Sequence, residues 1–391
     1  MKEVEQKCFS WVERNGSLLF VLAATLLSLA ARVPMRDFVS KDMAESLLPW
    51  YAQIAENGGF RGLGTQVGNY NLPYQSLIAL MTSIPIQPVY AYKICSVLFD
   101  YLLAVAAGGI VRHITGDRLK SALCYGAVVF LPTVALNSAM WGQCDSIFTF
   151  FLAACFLMLL KEKYTVAFLL YGASLAFKLQ AVFFLPFLVF FYGKEKKFSA
   201  LQFLFCLIPP VVLSLGGVLR GRSPLDILRV YRSQTTDSAE ISYSYPSFWN
   251  GLLKNGEEEH LAQVELLAIF VALAMLAGLV LTLWRSKRAF AETEHLSIAA
   301  FLTYTCVLFL PCMHERYGYP YLLFGLMLAL VDLKMIPILL GMIMIDLQTY
   351  GHYLFGTPRA PWELLVGLNM LCWLACGGRI FMKDRKDRKS A

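Results

Sequence analysis

Apolar runs dominate this chain, near 17–34, 93–111, 121–136, 147–160, 165–176, 181–191, 200–217, 261–284, 297–311, 319–331, 335–344 and 364–376. About 20 mainly apolar residues suffice for a helix to cross the hydrocarbon core of a bilayer, and several runs reach or approach that length. They predict an all-α fold, a polytopic transmembrane helical bundle of about 12 spans. Composition agrees, because 58% of the residues are hydrophobic and 16% charged, whereas roughly a quarter are charged in soluble domains. No room is left for a large soluble domain, so most soluble-enzyme folds are excluded and residues 1–391 form a single integral membrane domain. The run 17–31 has no small-residue cleavage site after it and reads as a retained anchor. The ten cysteines are scattered, largely inside apolar runs and without a Cys-x-x-Cys pair, so neither a disulfide framework nor a zinc site is indicated. There is no Gly-rich phosphate loop and no G-x-S-x-G, which leaves nucleotide binding and serine hydrolysis without support.

Basic residues give the orientation, since short cytoplasmic loops carry them in excess. The N-terminus, the turns holding Arg112, Arg118 and Lys120, Lys161 and Lys163, Lys194, Lys196 and Lys197, Arg285, Lys287 and Arg288, Lys334, and the basic tail together carry more than half of the 34 lysines and arginines. Placing them inside puts both termini in the cytoplasm. It requires the stretch 77–86, bounded by Pro73, Pro85 and Pro88, to lie in or dip into the interface rather than cross. The outer side then receives a long first loop, 35–92, with amphipathic interfacial helices, and a second loop, 219–260. Nearly every unusual polar cluster falls on that side.

Asp42 follows the first span at the start of a segment ending in Trp50 and Tyr51; it is either a base held at the membrane surface or, with Ser40 as the other choice, a helix cap. Asp37, five residues earlier, is its competitor. Tyr70, Asn71 and Tyr74 lie in a turn-rich run that shapes a pocket or supplies belt aromatics. Trp141, Gln143 and Asp145 lie at another outer turn, where ionisable groups at membrane depth are costly unless they face a polar cavity. Lys178 opposes the inner-positive bias, so it either snorkels or pairs with an anion, a phosphate or Asp145. His314, Glu315, Arg316 and Tyr317 crowd one tight turn; arginine offers bidentate donors to a phosphate, against the alternative of an Arg316–Glu315 surface pair. The second outer loop adds Arg220 and Arg222, then Tyr245 and Trp249 in an aromatic run suited to lining a sugar or re-entering the interface. Asp100 and Asp346, within spans, either pair with neighbours or mark a pathway.

Taken in order, Ser40-x-Asp42, Pro49-Trp50-Tyr51, Tyr70-Asn71-x-Pro73-Tyr74, Trp141-Gly142-Gln143-x-Asp145, Phe177-Lys178-x-Gln180 and His314-Glu315-Arg316-Tyr317 resemble the GT-C class of polytopic glycosyltransferases. The likeness is nearest to bacterial homologues of the mannosyltransferases of the GPI-anchor and phosphatidylinositol-mannoside pathways, and more distant to the dolichyl-phosphate-glucose glucosyltransferases. The resemblance implies an inverting transferase that takes a sugar from a polyprenyl-phosphate donor and places it on a lipid or glycan acceptor of the cell envelope at the outer face of a bacterial cytoplasmic membrane. It places the essential acid in the first outer loop, on Asp42. Since no Asp-x-Asp pair is present, a divalent metal is allowed but not indicated; no other cofactor and no nucleic-acid partner is expected.

Chemistry supports that transfer of roles, because displacing a lipid phosphate from an anomeric carbon needs a carboxylate to take the acceptor proton and cations to hold the leaving phosphate. Asp42 is thus the expected base, and Arg316 with His314 the expected phosphate ligands, followed by Lys178 and one of Arg220 or Arg222. Trp141, Gln143, Asp145, Glu315, Tyr317, Tyr70, Asn71, Tyr74, Tyr245 and Trp249 are expected at the sugar or acceptor. The rival is a multi-pass lipid or glycan transporter or flippase, which should show repeated halves and midplane polar residues. The two halves here look unlike each other.

Overall fold

The computed structural model describes residues 2–236, 240–253 and 261–390, so the second outer loop, 219–260, lies partly outside the described residues, as do the side chains of the basic tail from 383 onward. The fold is α-helical throughout. Among the described residues the only sheet is a pair of two-residue strands, Ser242–Tyr243 and Met313–His314, running parallel.

Among the described residues six helical segments are long and apolar enough to cross a bilayer: Arg14–Met35, Pro88–Thr115, Ala200–Val218, Gln263–Arg285, Leu333–Phe355 and Trp362–Met382. A bent pair, Arg118–Phe130 with Pro132–Trp141, meets at 49° and makes a seventh if the two act as one span. The expected dozen full spans is therefore not confirmed, because six or seven segments among the described residues have the length and composition of a full crossing. The reason is helix length. Asp145–Leu160, Tyr164–Phe177 and Tyr319–Val331 have 16, 14 and 13 residues, and at 1.5 Å per residue they reach only about 20–24 Å of a ~30 Å core. The apolar chain 165–191 is split by a 3-10 turn, Leu179–Phe184, between Tyr164–Phe177 and Leu185–Glu195.

The outward faces of the long helices are apolar. Leu26 and Phe270 are 68% and 69% exposed, an arrangement that lipid tails satisfy and water does not. Inside, aromatic rings such as Phe156, Phe184, Phe187 and Phe324 interlock. Helix starts follow local chemistry. Pro73, Pro88, Pro132 and Pro320 open helices where their missing N–H costs nothing, and the Asp117 carboxylate caps Arg118–Phe130 by accepting from the Leu119 and Lys120 amides.

Two buried cations fix how the chain leaves the first helix. Arg32 donates to the Asp100 carboxylate at 3.1 Å and to the Val129 carbonyl at 2.9 Å, which settles Asp100 as a paired group. Lys93 donates to the carbonyls of Met35, Arg36 and Phe38 at 2.7–3.0 Å. The loop that follows contains short helical pieces: a π-helical segment Met43–Leu47 that runs into Leu48–Glu56, a 3-10 segment Gly59–Gly64, and Leu72–Met81. Leu72–Met81 has 10 residues, too few to cross, and it packs Ile78, Ala79 and Met81 against the bundle.

Candidate active site

Asp42 is the hub of a carboxylate centre built from three distant parts of the chain. Ser40 takes the capping duty, its hydroxyl accepting from the Met43 amide at 3.1 Å, so the Asp42 carboxylate makes no cap bond. It instead accepts from Trp141 Nε1 at 3.0 Å, Gln143 Nε2 at 2.8 Å and the Tyr353 hydroxyl at 2.6 Å. Trp141 and Gln143 stand on either side of a tight turn that closes the π-helix Leu136–Trp141. Gly142 makes that turn possible, at φ +77° and with Met43 so near that a Cβ would meet Met43 Cε at 2.4 Å. Asp42 keeps 29% of its side-chain surface exposed, and Arg316 Nη2 stands 3.9 Å from Oδ2.

Asp37 is differently placed. It is 65% exposed, paired with Arg36 at 3.3 Å and bonded by the Tyr90 hydroxyl at 2.7 Å, and the Tyr90 bond holds its carboxyl below the ordinary range. None of these partners belongs to the Asp42 centre.

The turn carrying Arg316 is anchored by the small sheet, where the Glu315 amide donates to the Tyr243 carbonyl at 3.1 Å and the His314 ring stacks on Tyr243 with centroids 4.5 Å apart. Arg316 is mostly buried, over the rings of Trp141 and Tyr317 at 5.7 and 5.8 Å. Burial pushes the Glu315 carboxyl up to about 7. Burial, with Arg316 and Lys178 adding to it, pushes the His314 imidazole down to about 3, so His314 is neutral at physiological pH. Glu315 lies 3.9 Å from Arg316, but both are sunk in the protein, not on the surface as the alternative expectation had it.

Lys178 forms a buried ion pair with Asp145, whose other oxygen accepts from Asn137 Nδ2 at 2.8 Å. The anion that Lys178 wants is therefore supplied by the chain, and snorkelling does not occur. Lys178 nevertheless faces, with His314, Arg316, Tyr317 and Tyr70, a cavity of about 540 Å³ whose remaining wall includes the apolar side chains of Val182, Ile269 and Leu310. Polar heads and an apolar flank meet in one space. No group of three or more His, Cys, Asp or Glu among the described residues is placed to hold a metal ion.

The other expected site residues divide. Tyr70 reaches the centre, its hydroxyl 3.4 Å from Gln143 Oε1, and it packs on Trp50 and Tyr74; Asn71 and Tyr74 are buried beside it. Arg222 is buried away from the cavity, bonded to Gln75 at 3.3 Å and near Asp226 at 3.9 Å, where it braces the first outer loop, and Arg220 is exposed. Tyr245 is fully buried against Tyr321 and Asn369, and Trp249 donates to the Phe309 carbonyl at 2.7 Å. Both are packed into the bundle and take no part in the cavity wall.

Tyr353 has no counterpart in the motifs. It sits near the end of the helix Ile336–Phe355, stacked on Trp141 at 4.5 Å, and its only sequence signal is an aromatic at the end of a span, which reads as membrane belt. Tyr353→Phe keeps the ring stack and removes the bond to Asp42. Turnover is expected to fall about tenfold, the scale of one hydrogen bond to a charged group, with the donor KM unchanged; steady-state kinetics showing only a KM effect would contradict that positioning role.

A helical membrane bundle with a part-buried carboxylate and arginine centre beside a half-polar, half-apolar cavity has the features of a membrane-embedded enzyme site. The model of glycosyltransferase family 87 matches residues 70–311, more than half of the chain, and the chain belongs to that family. It is accordingly a membrane glycosyltransferase. Asp42, Arg316 and Tyr353 lie outside the matched segment. No curated protein matches the chain.

Proposed function

We propose that the protein is an inverting hexosyltransferase of GT-C type, which moves a sugar from a polyprenyl-phosphate donor to a lipid or glycan acceptor at the outer face of the membrane. The observation that carries this reading is the single centre in which the Asp42 carboxylate, held by three donors, stands 3.9 Å from Arg316. Arg316 and Lys178 share the cavity. The Asp42 carboxylate takes the proton of the acceptor hydroxyl as that oxygen bonds to the anomeric carbon, and the bond from that carbon to the phosphate oxygen breaks. The charge left on the polyprenyl phosphate falls to Arg316, with the neutral His314 donating a hydrogen bond and Lys178 adding field. A phosphate leaves without needing a proton, so one carboxylate suffices. Trp141 and Gln143 orient Asp42, and the apolar flank at Val182, Ile269 and Leu310 receives the start of the prenyl chain.

Two measurements test this reading. The anomeric configuration of the product is expected to be opposite to that of the donor, and a retained configuration would sink the single displacement. A cysteine placed at the exposed Thr65 is expected to react with an impermeant thiol reagent in intact cells; reaction only after permeabilisation would reverse the orientation.

Glu315 makes donor binding depend on pH. Its carboxyl, raised from 4.5 to about 7 by burial, is protonated below neutrality, which leaves Arg316 with less competing negative charge. Above neutrality it ionises beside Arg316, with the carboxylates of Asp42 and Asp145 facing it, and weakens the hold on a phosphate. Donor KM is therefore expected to rise at least about fivefold from about pH 6 to about pH 8, the lower bound being the roughly 1 kcal/mol that two charges about 4 Å apart exert even in water. Glu315→Gln should keep the low KM across that range, and an identical rise in the variant would remove Glu315 from the explanation.

A further inference from the structure

The same cavity carries a second set of polar atoms that the phosphate chemistry does not use. Gln180, Gln234 and Glu265 line it. Gln234 commits its amide nitrogen to the Asn69 carbonyl at 2.6 Å, while its Oε1 and the Oε1 of Gln180 are buried without a hydrogen-bond partner among the described residues. Glu265 enters from near the start of the long helix Leu261–Arg285, whose part Gln263–Arg285 is apolar enough to cross the membrane, and its hydrogen-bond contact among the described residues is the weak thiol donor of Cys312 at 3.6 Å. A carboxylate in such a segment is costly unless a polar cavity or ligand meets it. A buried amide oxygen left unpaired carries a similar cost.

These three groups share one property, which is that each offers an acceptor oxygen. A prenyl tail brings no hydrogen-bond donors, and a bare phosphate brings acceptors that Glu265 would repel. A ring bearing several hydroxyl groups brings donors in the number needed. We infer that Gln180, Gln234 and Glu265 form the subsite that reads the hydroxyl groups of an uncharged sugar on the donor, and that the Glu265 carboxylate turns away acidic sugars. The inference rests on the polyprenyl-phosphate reading given above and adds to it the specificity residues and the class of sugar. None of the three belongs to the centre around Asp42.

Binding to the full-length protein in nanodiscs tests the subsite without a known acceptor, using three probes: polyprenyl phosphate alone, a polyprenyl-phosphate neutral hexose and a polyprenyl-phosphate hexuronate. The wild type is expected to prefer the neutral hexose over both others. Gln234→Leu and Gln180→Leu should each weaken the hexose about fivefold, the scale of one neutral hydrogen bond. Affinity for polyprenyl phosphate alone should stay at the wild-type value, which also shows that the variants are folded. Glu265→Gln should tighten the hexuronate about tenfold or more by removing a like-charge encounter. Equal weakening of all probes in the glutamine variants, or no change in any variant while the wild type binds the donors, would overturn the subsite and leave the donor class standing. If the wild type binds none of the three probes, the polyprenyl-phosphate reading fails and the subsite fails with it.

Discussion

Asp42→Asn is expected to lower turnover by about 10²- to 10⁴-fold, the usual worth of a positioned general base. The substitution keeps the size of the side chain but removes the charge that takes the acceptor proton. It also turns one of two accepting oxygens into a donor facing Gln143, Trp141 or Tyr353, all of which donate to Asp42 in the native centre. Donor affinity should change little, because Arg316 and Lys178 remain. Asp37→Asn is the control, since Asp37 is solvent-exposed and its partners among the described residues are Arg36 and Tyr90, and it should turn over at close to the wild-type rate. The opposite pattern would move the base to Asp37, and full activity in both variants would remove the proton-transfer role from this loop.

The second large effect concerns stability. Lys178 and Asp145 are 6% and 1% exposed and paired with each other. Breaking a buried pair by removing one partner strands the other charge and costs about 3–5 kcal/mol. Asp145→Ala and Lys178→Met are each expected to show a loss of that size in unfolding measurements in detergent. The double variant Lys178→Met/Asp145→Asn strands no charge and keeps an acceptor for Asn137, so it should recover most of the loss. Failure of the double variant to recover would mean that the pair holds the turn in place by geometry that neutral groups do not reproduce. Its donor affinity then reports whether Lys178 adds to phosphate binding beyond its structural pairing.

Much of the centre was legible because its residues cluster on one side of the apolar runs. Asp42, Trp141, Gln143, Arg316 and Tyr70 are drawn from four separate stretches of the chain, yet each was conspicuous as a polar or aromatic group at the end of an apolar run, and the structure gathers Trp141, Gln143 and Arg316 around the Asp42 carboxylate, with Tyr70 joined through Gln143. Tyr353 was not legible because an aromatic at a span end has an ordinary explanation, and only its contact with Asp42 distinguishes it. Arg222 and Tyr245 carried the same outer-face signal as the site residues, and packing decided otherwise: Arg222 found Gln75, and Tyr245 found Tyr321 and Asn369. The Lys178 alternatives could be separated only by knowing that the helices starting at Asp145 and Tyr164 lie side by side, which brings Lys178 back to Asp145. The span count was not confirmed for a related reason. Hydropathy marks apolar chain, but short helices buried by neighbouring helices are as apolar as full crossings, so Tyr319–Val331 looks like a span while having 13 residues.

The central claim is that a polyprenyl phosphate, and not a nucleotide, carries the sugar to this centre. The most direct measurement offers the purified wild-type protein, in a bilayer, radiolabelled polyprenyl-phosphate hexoses and the corresponding sugar nucleotides in parallel, with envelope lipids as acceptor. The account predicts label transfer from a polyprenyl-phosphate hexose with release of one polyprenyl phosphate per sugar, none from the nucleotides, and loss of that transfer in Asp42→Asn. Transfer from a sugar nucleotide, or transfer that persists in Asp42→Asn, would contradict it.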